Sequence, residues 1–171
     1  MTISKDKITP CLWFDTQAEE AANFYVSVFR NSRIVHVNRY SKAGTDIHGK
    51  EPGSVMAVEF ELNGQTFTAL NGGPHFKFNE AISLQIPCET QQDIDHYWSR
   101  LTADGGEEGP CGWLKDKYGL SWQVVPTHLY EMLQDHNSEK TERVTDAFLQ
   151  MKKFDIAALK RAYEGQGAPA H

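Results

Sequence analysis

Two stretches of this chain repeat one pattern of apolar and polar positions. "ITPCLWFDTQAEEAANFYVSVF" opens with a short extended run, turns at an acidic Thr-Gln step, and continues with apolar residues at helical spacing. "AISLQIPCETQQDIDHYWSRL" follows the same order. A shift of 74 positions sets Thr9 on Ser83, Asp15 on Glu89, Thr16 on Thr90, Gln17 on Gln91 and Phe24 on Trp98. In each copy Thr16 or Thr90 is the expected N-cap, with Glu19 or Asp93 three residues on; Glu19 makes the fuller capping box. A second match sets "GQTFTALN" (64–71) on "GLSWQVVP" (119–126), with Gly64 on Gly119, Phe67 on Trp122 and Thr68 on Gln123, a shift of 55. The difference, 74 − 55 = 19, places an insertion in "YSKAGTDIHGKEPGS", a Gly-, Ser- and Lys-rich loop.

The first copy predicts a strand over 8–14, a helix over 17–30, and strands over 33–41, 54–62 and 65–71, the last two joined as a hairpin through Asn63-Gly64. The second predicts a strand over 81–88, a helix over 91–104, a short extended piece over 106–114 and a strand over 119–125, with "KDKYGLS" as its final turn. "GGPHFKFNE" links the copies. No helix follows its glycines directly, so it lacks the geometry of a phosphate loop. Beyond Pro126 the pattern changes. Ser138, Thr141 and Glu142 start a helix with Val144, Phe148 and Met151 at helical spacing, and a last helix runs from Ile156 to Tyr163 and ends at Gly165. The chain therefore reads as one α+β domain over 1–171: a module at about 5–72, a second at about 80–126, and a helical extension over 127–165.

Alternation along the strands separates two faces. Ile8, Leu12 and Phe14 share one side with Ile82, Leu84 and Ile86 of the second copy. The other side carries Thr9, Cys11, Trp13, Thr68, Ser83, Gln85, Ser121 and Gln123, with Glu59 the carboxylate that the pattern suggests for a sheet face. If helices cover the apolar side, the semi-polar side either meets water or lines a small-molecule cleft between sheets. Trp13 would then offer a flat aromatic wall. Trp98 and Trp122 read as core between helix and sheet, and His128 and His136 as surface groups. Cys11 points toward the cleft, but no His is placed beside it to make it a nucleophile.

Composition narrows the function classes. With 171 residues and 19.3 kDa the chain can bury its own core. A net charge of −6 removes any global basic field for nucleic acid. No run approaches the roughly 18 apolar residues of a membrane span. The start "MTISKDKITPCLWF" runs charge into a strand, so no signal peptide is expected. Cys11, Cys88 and Cys111 are odd in number and show no CxxC spacing, which points to a reducing cytoplasm and away from disulfides or a zinc site.

The stretches "AEEAANFYVSVF" and "KDKYGLSWQVVP", set in twice-written strand–helix–strands, resemble the vicinal oxygen chelate superfamily of glyoxalase I, extradiol dioxygenases and bleomycin-resistance proteins. "ITPCLWFDTQAEEAANFY", "FTALNGGPHFKFNEAISLQIPC" and "LKDKYGLSWQVVP" resemble more narrowly its PhnB-like branch, the demethylubiquinone 3-methyltransferase-like domain. The tail "RVTDAFLQMKKFDIAALKRA" resembles the end of that branch. The resemblance spans about 5 to 163 and implies paired βαβββ modules and a homodimer whose sheets form the clefts. Metal enzymes of the superfamily place His, Gln or Glu at positions that fall here on Thr9 or Pro10, Thr68, Ser83 and Gln123. Of these only Gln123 can coordinate, and a catalytic divalent cation needs three or four convergent ligands. No metal and no cofactor is therefore expected, the rescue being His36 or Glu59 from neighbouring strands. Three readings follow: an enzyme without the usual metal acting on a small organic metabolite, a non-enzymatic ligand-sequestering protein of the resistance type, and the methyltransferase of the family label. The last predicts S-adenosylmethionine binding, although no Gly-rich strand–turn–helix opening stands in the chain.

Overall fold

The computed structural model describes residues 8–166. They form two compact units that divide between Lys77 and Phe78. The first unit contains β1 (Cys11–Phe14), α1 (Ala18–Val28), β2 (Arg33–Arg39), a short α2 (Thr45–His48), β3 (Val55–Leu62) and β4 (Gln65–Asn71). Apart from α2, a single turn inside the predicted insertion loop, this is βαβββ. The sheet order is β1-β4-β3-β2, with β1 parallel to β4 and the other pairs antiparallel. Asn63 and Gly64 both take positive φ (46° and 80°), the backbone that a two-residue hairpin turn demands.

Leu12, Phe14, Val58, Phe60, Leu62, Phe67 and Ala69 are buried on one face of this sheet. Ala18, Ala21 and Ala22 let α1 lie close to them, and the Tyr25 ring stacks on Phe60, which stacks on Phe67. The N-terminus of α1 departs from the capping box expected of Thr16 and Glu19. The N-cap is Gln17, with no side-chain cap of its own. Asn71 at the end of β4 supplies the acceptor instead: its Oδ1 takes the Ala18 N–H at 2.8 Å while its Nδ2 donates to the Val55 carbonyl at 3.1 Å. A buried amide that is satisfied at both ends outcompetes an exposed hydroxyl, because it ties helix, strand and hairpin together in one step.

The second unit repeats the order with β5 (Leu84–Cys88), α3 (Gln91–Thr102), β6 (Glu107–Glu108), β7 (Trp113–Lys115) and β8 (Ser121–Pro126). Its sheet order, β5-β8-β7-β6, matches that of the first unit, again with the first strand parallel to the last. Here the predicted cap holds: Thr90 Oγ1 accepts from the Asp93 N–H at 3.1 Å and donates to the Asp93 carboxylate at 2.6 Å. Helix α3 buries Ile94, Trp98 and Leu101 against Ile86, Trp122 and Val124. Three further helices follow: α4 (Thr127–Leu133), α5 (Ser138–Leu149) and α6 (Ile156–Glu164), which ends on Gly165 at φ 72°. Backbone bonds from Cys111 and Gly112 to the Met151 and Lys152 carbonyls, both 2.7 Å, hold the extension to the sheet. A side chain at Gly112 would strike the Phe154 ring and the Val124 carbonyl.

Candidate functional site

Each unit leaves one sheet face uncovered by its own helix. In the first, register aligns Cys11, Thr68, Glu59 and His36 in one row across the four strands. A bulge between Ile34 and His36 lets both Arg33 and His36 reach this face while Ile34 turns inward. Cys11, Glu59 and His36 are exposed and Thr68 is half-buried. Glu61 joins Glu59 on the face, which sequence alternation had assigned a single carboxylate, and its carboxylate pairs with Arg33 at 2.8 Å. Partial burial raises the Cys11 thiol pKa, so it is a poor thiolate near neutral pH. His36 Nε2 lies 3.0 Å from Asn38 Oδ1. Thr9 lies exposed just before β1.

Trp13 is committed elsewhere than to open space. Its Nε1 donates to the Gly73 carbonyl at 2.8 Å and its ring meets Phe76 edge-on at 4.9 Å. A Cβ at Gly72 would collide with the indole. The Gly-Gly-Pro link is thus shaped around this ring, and Gly72 is required for close approach.

The second unit's open face is better knit. Gln123 Nε2 donates to Ser83 Oγ at 2.7 Å, Gln85 Nε2 donates to Gln123 Oε1 at 3.3 Å, and the Tyr130 hydroxyl donates to Gln85 Oε1 at 3.4 Å. Register sets Gln85, Gln123 and Trp113 in one row, and Ser121, Lys115 and Glu107 in the next. A cavity of about 380 Å³ opens here, lined by Glu80, Glu107, Glu108, Trp113, Lys115 and Ser121 among others. Ser121 is 1% exposed, and among the described residues its Oγ is a buried side-chain oxygen that finds no hydrogen-bond partner. Such an oxygen is costly unless something meets it.

Lys115 spans the mouth of the cavity. Its Nζ contacts the Glu80 carboxylate and stands 3.8 Å from Glu107. The hydrogen bond and charge of Glu80 raise the pKa of Lys115, and Lys115 in turn lowers that of Glu80. Behind the turn, buried Asp116 accepts from the Tyr118 and Leu120 N–H groups at 2.9 and 3.1 Å and from Trp122 Nε1 at 2.8 Å. This carboxylate fixes how β7 returns into β8. It places Lys115 opposite Ser121.

Of the expected cleft residues Ser121 lines this cavity, while Gln123, Ser83 and Gln85 form a separate hydrogen-bonded row on the same sheet. The cavity adds Trp113, Lys115 and Glu80, which the sequence reading did not select. For Trp113 and Lys115 the missing signal was strand pairing, since their parity with Gln123 becomes visible only once β7 is paired to β8. Glu80 carries no periodic signal because its segment is irregular. Cys88 lies under α3, its thiol pushed up to about 12 by burial and then by the Asp93 charge, and it is inert.

The residues at the positions of the superfamily's metal ligands do not fit a metal. Gln123 is the one such side chain with a carbonyl to offer, and that oxygen is taken by Gln85. Among the described residues no group of three or more His, Cys, Asp or Glu side chains is placed to hold an ion.

Residues 6–125 match the family model described as 3-demethylubiquinone-9 3-methyltransferase. Among solved structures, the chain is similar to the PhnB protein of Bacillus cereus, described as a candidate 3-demethylubiquinone-9 3-methyltransferase. The identity is 38% over 71% of this chain and 100% of that chain, with a TM-score of 0.61. Protein PA1353 of Pseudomonas aeruginosa is similar at 15% identity over 71% of this chain and 98% of that one, with a TM-score of 0.57. The fosfomycin resistance protein FosX of Mesorhizobium loti matches at 13% identity over 78% and 100%, with a TM-score of 0.54. The last two show a shared fold. No curated protein matches the chain.

Proposed function

The chain belongs to the 3-demethylubiquinone-9 3-methyltransferase-like, PhnB-like family of the glyoxalase and bleomycin-resistance superfamily, and from that premise we propose that it binds a small organic metabolite on the open face of its second sheet. The observation that carries this reading is the buried, unpartnered Ser121 hydroxyl in the wall of the 380 Å³ cavity. Trp113 supplies a flat apolar wall, and the Ser83–Gln123–Gln85–Tyr130 chain of hydrogen bonds stiffens the floor beside it. Pockets of this kind, mostly apolar with a few fixed polar groups, are the usual small-molecule sites. Binding is favoured over proton abstraction, because Glu80 is held ionised by Lys115 and is a weak base. Benzamide, a flat neutral fragment, tests the reading by NMR. It is expected to shift the Trp113 indole resonance in the wild type and to lose that effect in Ser121→Val. Shifts confined to other residues would overturn the assignment.

The description of the matched family favours a second reading, methyl transfer, which requires S-adenosylmethionine to bind. The turns before α1 and α3, "DTQ" and "ETQ", hold no glycine to cradle such a cofactor. If calorimetry at sub-millimolar S-adenosylmethionine gives no heat, this reading is dropped.

A cytoplasmic homodimer completes the proposal. It is supported by three free cysteines and by the outer edge of β2, unpaired among the described residues, where the bulge leaves Val35 exposed. A light-scattering mass near 19.3 kDa at micromolar concentration would contradict the dimer. No helix among the described residues is long and apolar enough to cross a membrane.

A further inference from the structure

Resting on the cavity reading above, we infer that the ligand enters as an acid: its carboxylate or other oxyanion takes Lys115 from the Glu80 carboxylate and lies deeper than Glu80 does, toward the unpartnered Ser121 hydroxyl. The depth of the groups decides this. Ser121 is 1% exposed, and the Lys115 side chain is 34% exposed, against 59% for Glu80 and 74% for Glu107. The two donors are the inner groups and the two carboxylates form the rim. Glu108 also lines the cavity, but its carboxylate is engaged by other donors and stands 3.8 Å from Lys152 Nζ. It sits one residue out of phase with Glu107, and its carboxylate accepts from Trp98 Nε1 at 2.9 Å on the helix side of the sheet.

Lys115 and Ser121 stand on directly opposed positions of β7 and β8, with their side chains on the same face of the sheet. Lys115 has three N–H donors. Glu80 takes one, and Glu107, at 3.8 Å, stays outside hydrogen-bond reach. Ser121 has its own O–H to give. An oxyanion satisfies both, and the charge-assisted bonds it would make are the strong kind. A ligand cation would instead have to displace Lys115 from between two carboxylates.

Glu80 is built to leave. It lies on the irregular link before β5, holds no strand pairing, and makes an exposed ion pair of the kind that contributes little. It acts as an internal counter-ion that a ligand acid replaces on Lys115. Trp113 then favours an acid on a flat, apolar body, of a size set by the 380 Å³ available.

The test compares benzoate with benzamide and benzylamine, which share one shape and differ in charge, by NMR titration of the full chain. Benzoate is expected to bind most tightly. Lys115→Met is expected to weaken benzoate by on the order of tenfold or more, the scale of a lost charge-assisted hydrogen bond, and to leave benzamide nearly unchanged. Glu80→Gln is the complementary variant, a surface change that leaves the core intact. It should tighten benzoate severalfold without moving benzamide. Equal binding of benzoate and benzamide, with no response to Glu80→Gln, would overturn the acid preference while the cavity reading stands. Tighter binding of benzylamine would overturn it in favour of a cationic ligand. If none of the three binds at the Trp113 face in wild type or Glu80→Gln, the cavity reading itself fails.

Discussion

Asp116 shows how far one side chain can organise this chain. A carboxylate that is 2% exposed survives burial because donors converge on it, among them two N–H groups of the tight turn it begins and the Trp122 indole. The same contacts set the return of β7 into β8, and so the spacing of Lys115 and Ser121. Asp116→Ala leaves three donors to find water or go unpaired, and is expected to destabilise the protein by about 3 kcal/mol in urea unfolding. Asp116→Asn keeps one acceptor oxygen and should cost about half of that. Equal losses for the two variants would mean that the acceptor role is secondary to packing. In the sequence Lys115, Asp116 and Lys117 read as a turn with no specific catalytic signal. Nothing local to that tripeptide signals that its middle residue points inward.

The two copies differ most at the scale of the element, in how their helices begin. Helix α3 is capped by its own preceding Thr90. Helix α1 is capped from 53 residues away by Asn71. Sequence reasoning finds the first kind because N-cap chemistry is local. It assigns the second wrongly, because Thr16 has the right identity at almost the right place. The stability cost separates them. Thr90→Ala should cost about 1 kcal/mol. Thr16→Ala should be close to neutral. Asn71→Ala should cost more than Thr90→Ala, since it strips partners from both the Ala18 N–H and the Val55 carbonyl. Chemical denaturation of the three variants gives the ranking, and a Thr16→Ala loss equal to that of Thr90→Ala would contradict the assignment. Strand extents follow the same logic. The predicted run 106–114 becomes β6 and β7, because Gly109 to Gly112 turn aside to meet the extension, with Cys111 at φ 52°.

For the whole molecule, three carboxylates beyond the Lys77–Phe78 division have pKa values lowered by specific partners. Glu80 is lowered by Lys115, Asp95 by Lys153 and then Gln91, and Asp135 by Tyr163 and then the Asn137 N–H, with Lys140 adding to it. A carboxylate whose folded pKa lies below its unfolded value of about 4 contributes stability above that pH and loses it as the pH falls through the folded value. The second unit is therefore expected to lose part of its stability in acid, below about pH 4. The Glu80 and Asp95 carboxylates are solvent-exposed and the Asp135–Tyr163 pair is half-buried, so the effect should be modest and, for the two exposed ones, weaker in high salt. Hydrogen exchange at pH 3 and pH 6 checks this: protection in residues 78–166 that is the same at both pH values, after correction for the intrinsic rate, would contradict it.

Much of this could be read without coordinates. The duplication, the paired βαβββ order, the Asn-Gly hairpin, the Thr90 cap and the inward–outward parity of Thr68, Ser83, Gln85, Ser121 and Gln123 all rest on short-range periodicity. Periodicity is a property of neighbouring residues, and the family match over 6–125 agrees with that reading of the fold. What only the tertiary structure decided is which strands lie beside which, and so which residues of equal parity meet. Lys115 faces Ser121 because β7 pairs with β8 at one register. Glu80 reaches Lys115 because an irregular link happens to pass there. Trp13, of cleft parity by alternation, spends its indole on Gly72 and Gly73 instead. Parity assigns a side chain to a face, but its partner on that face is set by contacts between residues far apart in the chain.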